Sequence, residues 1–153
     1  MPETKITAQY HSPLGIITLV SDGNSLTELH FAQGQGETEL KIFSETRRWL
    51  DLYFSGIKPD FTPPIKPRGT SFQQKVWQEL LTIPYGQTTT YGAIAKRLNC
   101  RSAQAVGQAI HHNPIAIIIP CHRVIGADGS LTGYASGLEI KQELLKIEYY
   151  HHR

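Results

Sequence analysis

The sequence predicts a two-lobed α/β (α+β) protein. A small antiparallel sheet with one helix forms the N-terminal lobe, and a helix-turn-helix lobe carrying a reactive-looking cysteine follows it. Three observations predict this. "KITAQYHSPLGIITLVSDGNSLTELHFAQ" holds three short β-type runs separated by turn residues. "IKPDFTPPIKPRGT" then concentrates Pro59, Pro63, Pro64 and Pro67 in one stretch. The second half consists of short helical patterns, several with Thr or Ser just ahead of them.

Taken in order, Ser12-Pro13-Leu14-Gly15 and Asp22-Gly23-Asn24 supply the turns between the three strands. "ETELKIFSETRRWLDLYFSG" reads as a helix with Leu40, Phe43, Arg47, Leu50 and Phe54 near one face, one of them charged, closed by Gly56. The proline-rich stretch, about 57–68, reads as a stiff, partly extended linker outside any core. It divides a lobe of residues 1–68 from one of residues 69–153. Thr70 with Gln73 has the form of a capping box, and Phe72, Val76 and Leu80 make a helical stripe. Ile83-Pro84-Tyr85-Gly86 ends that helix, and Thr90 caps "YGAIAKRL". "RSAQAVGQAIHHNP" is a third helix, starting near Ser102 and stopped at Asn113-Pro114. A short helix, a tight break and a small-residue helix have the shape of a helix-turn-helix, which a simple packing hairpin shares.

Composition narrows the class. Of 153 residues, 40% are hydrophobic and 18% charged, which suits a folded core and excludes a disordered chain. A net charge of +2 identifies no partner. No apolar run is long enough to span a bilayer, so no membrane partner is expected. "MPETKITAQYHS" has no signal-peptide core, so a cytoplasmic location is the expectation. The two cysteines, Cys100 and Cys121, read as free thiols. His111/His112 and His151/His152 are adjacent pairs rather than ligands at turn spacing, so no metal site is expected.

The chemistry concentrates in "NPIAIIIPCHRVIG", Asn113 to Gly126. The run Ile115–Ile119 reads as a buried strand or extended segment, and Pro120 ends its pairing. Strand neighbours point to opposite faces, so Cys121 and His122 can cooperate only if the chain turns at Pro120. A base or cation nearby would raise the thiolate fraction of Cys121. His122 is the candidate base, and Glu139, Glu143 and Glu148 on the last helix are candidates to orient it.

These residues also carry a resemblance. "NPIAIIIPCHRVIG" resembles the active-site segment of the O6-alkylguanine-DNA alkyltransferases, and Pro-Cys-His-Arg-Val is highly specific to them. The likeness runs through "SFQQKVWQELLTIPYGQTTTYGAIAKRL", "AQAVGQAIHHNP" and "GSLTGYASGLEIKQELLKIE", covering nearly all of residues 70–149. Over residues 1–68 it rests on the order of elements.

The resemblance implies a winged-helix-like lobe and repair by direct reversal. The alkyl group of O6-alkylguanine, and of O4-alkylthymine, would pass irreversibly to Cys121, once per chain and without a cofactor. Double-stranded DNA would be the partner, engaged through the minor groove with the damaged nucleotide flipped out, and the protein would be a monomer. His122 would act as base through a water, oriented by Glu148. Asn113 would brace the turn, and Tyr91 would push on the nucleotide and donate its hydroxyl. The carbonyls of Cys121 and Val124 would read the guanine amine. Tyr134, with Ala135 and Ser136, belongs to the loop that closes the pocket. Ala103, Gln104, Ala105 and Gly107 would face DNA. Arg97, Arg101 and Arg123 are expected to share the electrostatic work, with a structural role as the alternative for Arg123.

Three departures stand out. Ala135 occupies the usual serine position of the pocket loop, with Ser136 next. The N-terminal lobe has no cysteine, so the zinc site of some relatives is absent. Gln104 stands where many relatives have an arginine that inserts into the base stack. Two other readings compete: a non-catalytic helix-turn-helix damage sensor or regulator, and a cysteine hydrolase. The presence of Cys121 argues against the first, and no signature points to the second.

Overall fold

The computed structural model describes residues 5–36 and 38–152, and the described chain divides into two compact units that meet in sequence between Arg68 and Gly69. In the first unit, β1 (Ile6–Ser12), β2 (Gly15–Ser21) and β3 (Leu26–Phe31) form an antiparallel sheet in that order. The β1–β2 register closes at Ser12 opposite Gly15, and Gly15 adopts a φ of 130° that a side chain would resist. Ala8, Ile17, Leu19 and Leu29 are buried. The helix α1 (Lys41–Phe54) packs on β1 and β3.

Two expectations for this unit need correction. Ile42, Phe43, Thr46, Trp49, Leu50 and Tyr53 form the buried face of α1, not Leu40, Arg47 and Phe54. The helix starts later than its sequence suggests: Leu40 is the cap, residues 38–40 are not helical, and Glu37 lies outside the described residues. Arg47 instead sends its guanidinium to the Gln9 carbonyl at 3.4 Å. Gly56 does close the helix, at a φ of 80° with its N–H on the Tyr53 carbonyl. The proline-rich stretch is also not merely a spacer. Leu26 donates its N–H to the Pro64 carbonyl and accepts the Lys66 N–H, both at 2.8 Å. Ile65 thereby forms a parallel bridge to Leu26, and Pro63 is buried.

The second unit contains α2 (Ser71–Leu80), β4 (Thr89–Thr90), α3 (Tyr91–Arg97), α4 (Ala103–His111), a 3-10 turn at Cys121–Arg123, β5 (Val124–Ile125) and α5 (Leu138–His152). The side chains of Thr70, Thr90 and Ser102 cap α2, α3 and α4, and Thr70 and Gln73 complete a capping box. Val76, Trp77 and Leu80 are the buried residues of α2, whereas Phe72 is exposed. Trp77 lies between α2 and α4 and donates its indole N–H to the Ala109 carbonyl at 2.8 Å. Its loss would cost about 3–5 kcal/mol. Helices α3 and α4 pack together around the break at Asn99, which has a φ of 53°.

One pairing positions the chemistry. The parallel strands β4 and β5 join Thr89 to Val124 and Thr90 to Ile125. They tie the turn holding Cys121 to the start of the helix holding Tyr91. Among the described residues, no helix is long and apolar enough to cross a membrane.

Candidate active site

The run Ile115–Ile119 is buried, as its composition requires, but it is no strand. It folds back on itself. Ile118 donates to the Ala116 carbonyl at 2.8 Å, and Ile119 to the Ile115 carbonyl at 3.1 Å. Ile117 has a φ of 69°, a left-handed conformation that a β-branched residue resists. Asn113 organises this turn. Its amide oxygen accepts the Ile115 N–H at 3.0 Å, and its amide nitrogen donates to the Ile119 carbonyl at 2.8 Å and to the Cys121 sulfur at 3.2 Å. The bend expected at Pro120 is present, since Cys121, His122 and Arg123 form a single 3-10 turn directly after it.

The thiol and imidazole of adjacent residues face different partners. The His122 Nε2 lies 2.5 Å from the Glu148 Oε2. The other Glu148 oxygen accepts the Arg123 Nε–H at 2.7 Å and the Gly86 N–H at 3.0 Å. Arg123 also donates to the Ile83 carbonyl at 2.7 Å and lies over the Tyr85 ring. His122, Arg123 and Glu148 are all buried. Arg123 therefore sits inside the lobe, where the structural alternative put it, and not on a DNA-facing surface: a guanidinium this deep needs a carboxylate, and Glu148 supplies it.

Burial sets the titration of the site. It pushes the Cys121 thiol up to about 11, against the opposing pull of the Asn113 hydrogen bond and the Lys141 charge. It pushes His122 down, so the ring is neutral, against the bond to Glu148. Burial would also raise Glu148, but the His122 bond and the Arg123 charge overcome it and hold the group well below the usual carboxylate range. Glu148, as a carboxylate, takes the proton on His122 Nε2 as its hydrogen bond, which makes Nδ1 the basic nitrogen of the ring.

Tyr134 is buried, and its hydroxyl has no hydrogen-bond partner among the described residues. Burial first, then the negative charges of Cys121 and Glu148, hold this phenol well above its ordinary value. Ala135 is exposed, and Ser136 is partly so. Val124 is buried on β5, and its N–H already occupies one side of the Cys121 carbonyl.

Lys141 was missed by the sequence reading. Its side chain is fully buried, and its ammonium donates to the Thr132 carbonyl at 2.6 Å and, more weakly, to that of Gly133 at 3.5 Å. Burial lowers its pKa, and the negative charge of Cys121 opposes that. A signal existed. Among the residues of α5 whose side chains are described, Lys141, Leu144 and Glu148 are the buried ones, at helical spacing on one stripe, yet two of the three are charged.

Tyr91 opens α3 and places its hydroxyl 3.4 Å from the Thr132 carbonyl and 3.3 Å from the Thr132 hydroxyl. With Ala103, Gln104, Gly107, Gln108 and Thr132, it lines a groove of about 550 Å³. Ala105 is half-buried and Arg101 exposed, while Arg97 pairs with Glu79 at 3.6 Å. No cluster of three or more metal-ligating side chains exists among the described residues.

The chain as a whole resembles known proteins. The family described as "6-O-methylguanine DNA methyltransferase, DNA binding domain" matches residues 71–150. The "6-O-methylguanine DNA methyltransferase, ribonuclease-like domain" matches residues 6–67. A methylated-DNA–protein-cysteine methyltransferase of Methanosarcina acetivorans is 48% identical, over 92% of this chain and 96% of its own. The crystal structure of the Mycobacterium tuberculosis O6-methylguanine methyltransferase superposes with a TM-score of 0.88 at 42% identity, covering 97% of this chain and 94% of that one. The structure of the same organism's protein in complex with DNA gives 0.87 at 44% identity, with coverages of 95% and 93%. Both lobes match, in order and nearly end to end, and the chain belongs to the 6-O-methylguanine DNA methyltransferase family.

Proposed function

We propose that this chain repairs DNA by taking the alkyl group of O6-alkylguanine, and of O4-alkylthymine, onto Cys121. The observation that carries the reading is the arrangement around that residue: a buried thiol braced by Asn113, beside a neutral His122 held by a charged Glu148.

A thiol pushed up to about 11 is protonated at neutral pH, so a base must act when the reaction does. His122 takes the proton through a water at Nδ1, and Glu148 stabilises the imidazolium that forms. The sulfur attacks the alkyl carbon in line, a C–S bond forms and the C–O6 bond breaks. The electron pair goes to the guanine, which takes a proton from the Tyr91 hydroxyl; solvent then returns a proton to Tyr91 and accepts the one held on His122. The thioether is stable, so each chain acts once.

The substrate carbon lies within a base stack, so the nucleotide must leave it. Tyr91 and the exposed face of α4 lie together along one groove, which suits a helix in the minor groove displacing the nucleotide toward Cys121. Slim residues, Ala103, Ala105 and Gly107, let that face approach closely. Arg101 and Arg97 supply charge toward phosphate. Ala135 and Ser136 offer backbone and hydroxyl donors to the base held under Tyr134.

The test is intact mass after mixing with a duplex carrying O6-methylguanine. A stable gain of one methyl group, mapped to Cys121, is expected. Binding without any gain would make the chain a damage sensor and overturn the proposal.

A further inference from the structure

The face that α4 turns to solvent is unusual for a helix that meets DNA. Its exposed positions are Ala103, Gln104, Gln108 and His111, followed by the cap residue His112, and none is a lysine or arginine. Such a face neutralises no phosphate on its own. Beyond close approach and filling the gap of the flipped base, what it can add is hydrogen bonds to base edges.

In the minor groove, A·T pairs present only acceptors, and G·C pairs add a single donor, the guanine N2 amine. Selecting for that donor calls for an acceptor whose role is set by its neighbour. Gln104 and Gln108 do not qualify, because a rotated amide offers either. His112 does. Its Nδ1 lies 2.7 Å from the Gln108 carbonyl oxygen. A carbonyl only accepts, so Nδ1 carries a proton, and in the neutral imidazole Nε2 is then the acceptor. The same carbonyl receives the His112 backbone N–H at 3.1 Å, so the ring is docked onto the last turn of the helix. His112 also lines the groove that holds Tyr91 and Gln104.

We infer that His112 accepts a hydrogen bond from the exocyclic amine of a guanine beside the lesion, so that transfer depends on the flanking sequence and favours G·C over A·T there. The inference rests on α4 lying in the minor groove, as proposed above.

Single-turnover transfer from duplexes with O6-methylguanine tests it. Replacing the flanking guanine by deoxyinosine removes only the amine, and one neutral hydrogen bond corresponds to about a three- to tenfold change. Transfer should fall by that factor. Replacing a flanking adenine by 2-aminoadenine adds the amine and should raise transfer similarly. Both effects should vanish in His112→Ala, whose melting temperature reports any loss of the helix cap. The DNA substitutions need no variant, so misfolding of His112→Ala would not remove the test. Equal transfer from guanine and inosine duplexes would overturn the inference, as would an inosine effect that persists in a folded His112→Ala. Free O6-benzylguanine separates the two levels. A chain alkylated by the free base and by duplex, yet indifferent to inosine, contradicts this inference alone. A chain alkylated by neither contradicts the proposed repair function and the inference with it.

Discussion

The amide nitrogen of Asn113 lies 3.2 Å from the sulfur of Cys121 while also donating to the Ile119 carbonyl at 2.8 Å. One side chain thus fixes both the turn and the sulfur proposed to react. Asn113→Ala should loosen the two together. We expect slower transfer and a loss of stability of about 1–3 kcal/mol, since two buried partners lose a donor. Denaturant melts and transfer rates on the same sample check it.

Cys121→Ala should abolish transfer and leave duplex affinity nearly unchanged, because phosphate contacts supply most of that affinity. Gel-shift titrations paired with intact mass measure both. Transfer to any other residue in this variant would remove Cys121 from the mechanism.

His122 and Glu148 should behave as a unit. His122→Ala or Glu148→Gln should slow transfer at neutral pH, and raising the pH toward the thiol's own value of about 11 should narrow the deficit. The double variant should be little worse than the slower single one. Glu148 also carries a stability prediction. Its folded pKa is lowered, so the contribution is complete above its ordinary value of 4.5 and fades as pH falls through the range below. Glu148→Gln should therefore flatten the acid limb of the stability curve, as read from melts between pH 2 and 6.

Lys141 is a buried ammonium whose hydrogen bonds go to backbone carbonyls, and the charge that opposes its lowered pKa is that of Cys121. Lys141→Met should raise the thiol further and slow its alkylation by iodoacetamide several-fold near neutral pH, a pKa unit being about tenfold in thiolate. Lys141→Arg should retain part of the rate. Stability should change little or even rise in Lys141→Met, because an ammonium without a paired carboxylate is costly to bury. A rate profile that tracks stability alone would make Lys141 a packing residue.

Gln104→Arg should speed transfer from duplex and leave reaction with free O6-benzylguanine unchanged. Glutamine stacks less well than guanidinium in the gap left by a flipped base. Rapid-quench measurements on both substrates decide it. If Gln104→Ala and Gln104→Arg both match the parent on duplex, residue 104 does not fill the gap.

Local chemistry made most of the elements legible. Thr70, Thr90 and Ser102 marked helix starts because a capping hydroxyl acts within three residues, and the structure has all three caps. The phase of α1 was misread because Glu37-Thr38-Glu39-Leu40 resembles a first turn, while tertiary packing selects Ile42, Trp49 and Tyr53. Ile115–Ile119 was read as extended because β-branched residues favour strands. What overrode that preference is a side chain two residues upstream, Asn113, bonding into the run. Around Cys121, the bend at Pro120 and the candidacy of Glu148 were open to sequence reasoning. The depth of Lys141 was not, and for Arg123 a structural role stood only as an alternative, since a charged residue reads as solvated until its partners are known.

The left-handed Ile117 has a consequence for anyone who would transplant this site. The residues from Asn113 to Arg123 are contiguous, so an excised peptide would contain the proposed nucleophile Cys121, its brace Asn113 and its proposed base His122 in the right order. It would not hold their geometry. A β-branched residue in that conformation costs about 1–3 kcal/mol, which only a surrounding packed lobe can offset. Grafting the segment into another scaffold thus requires the helices that bury it. For a free-standing mimic, the natural starting point is glycine or a D-residue at position 117.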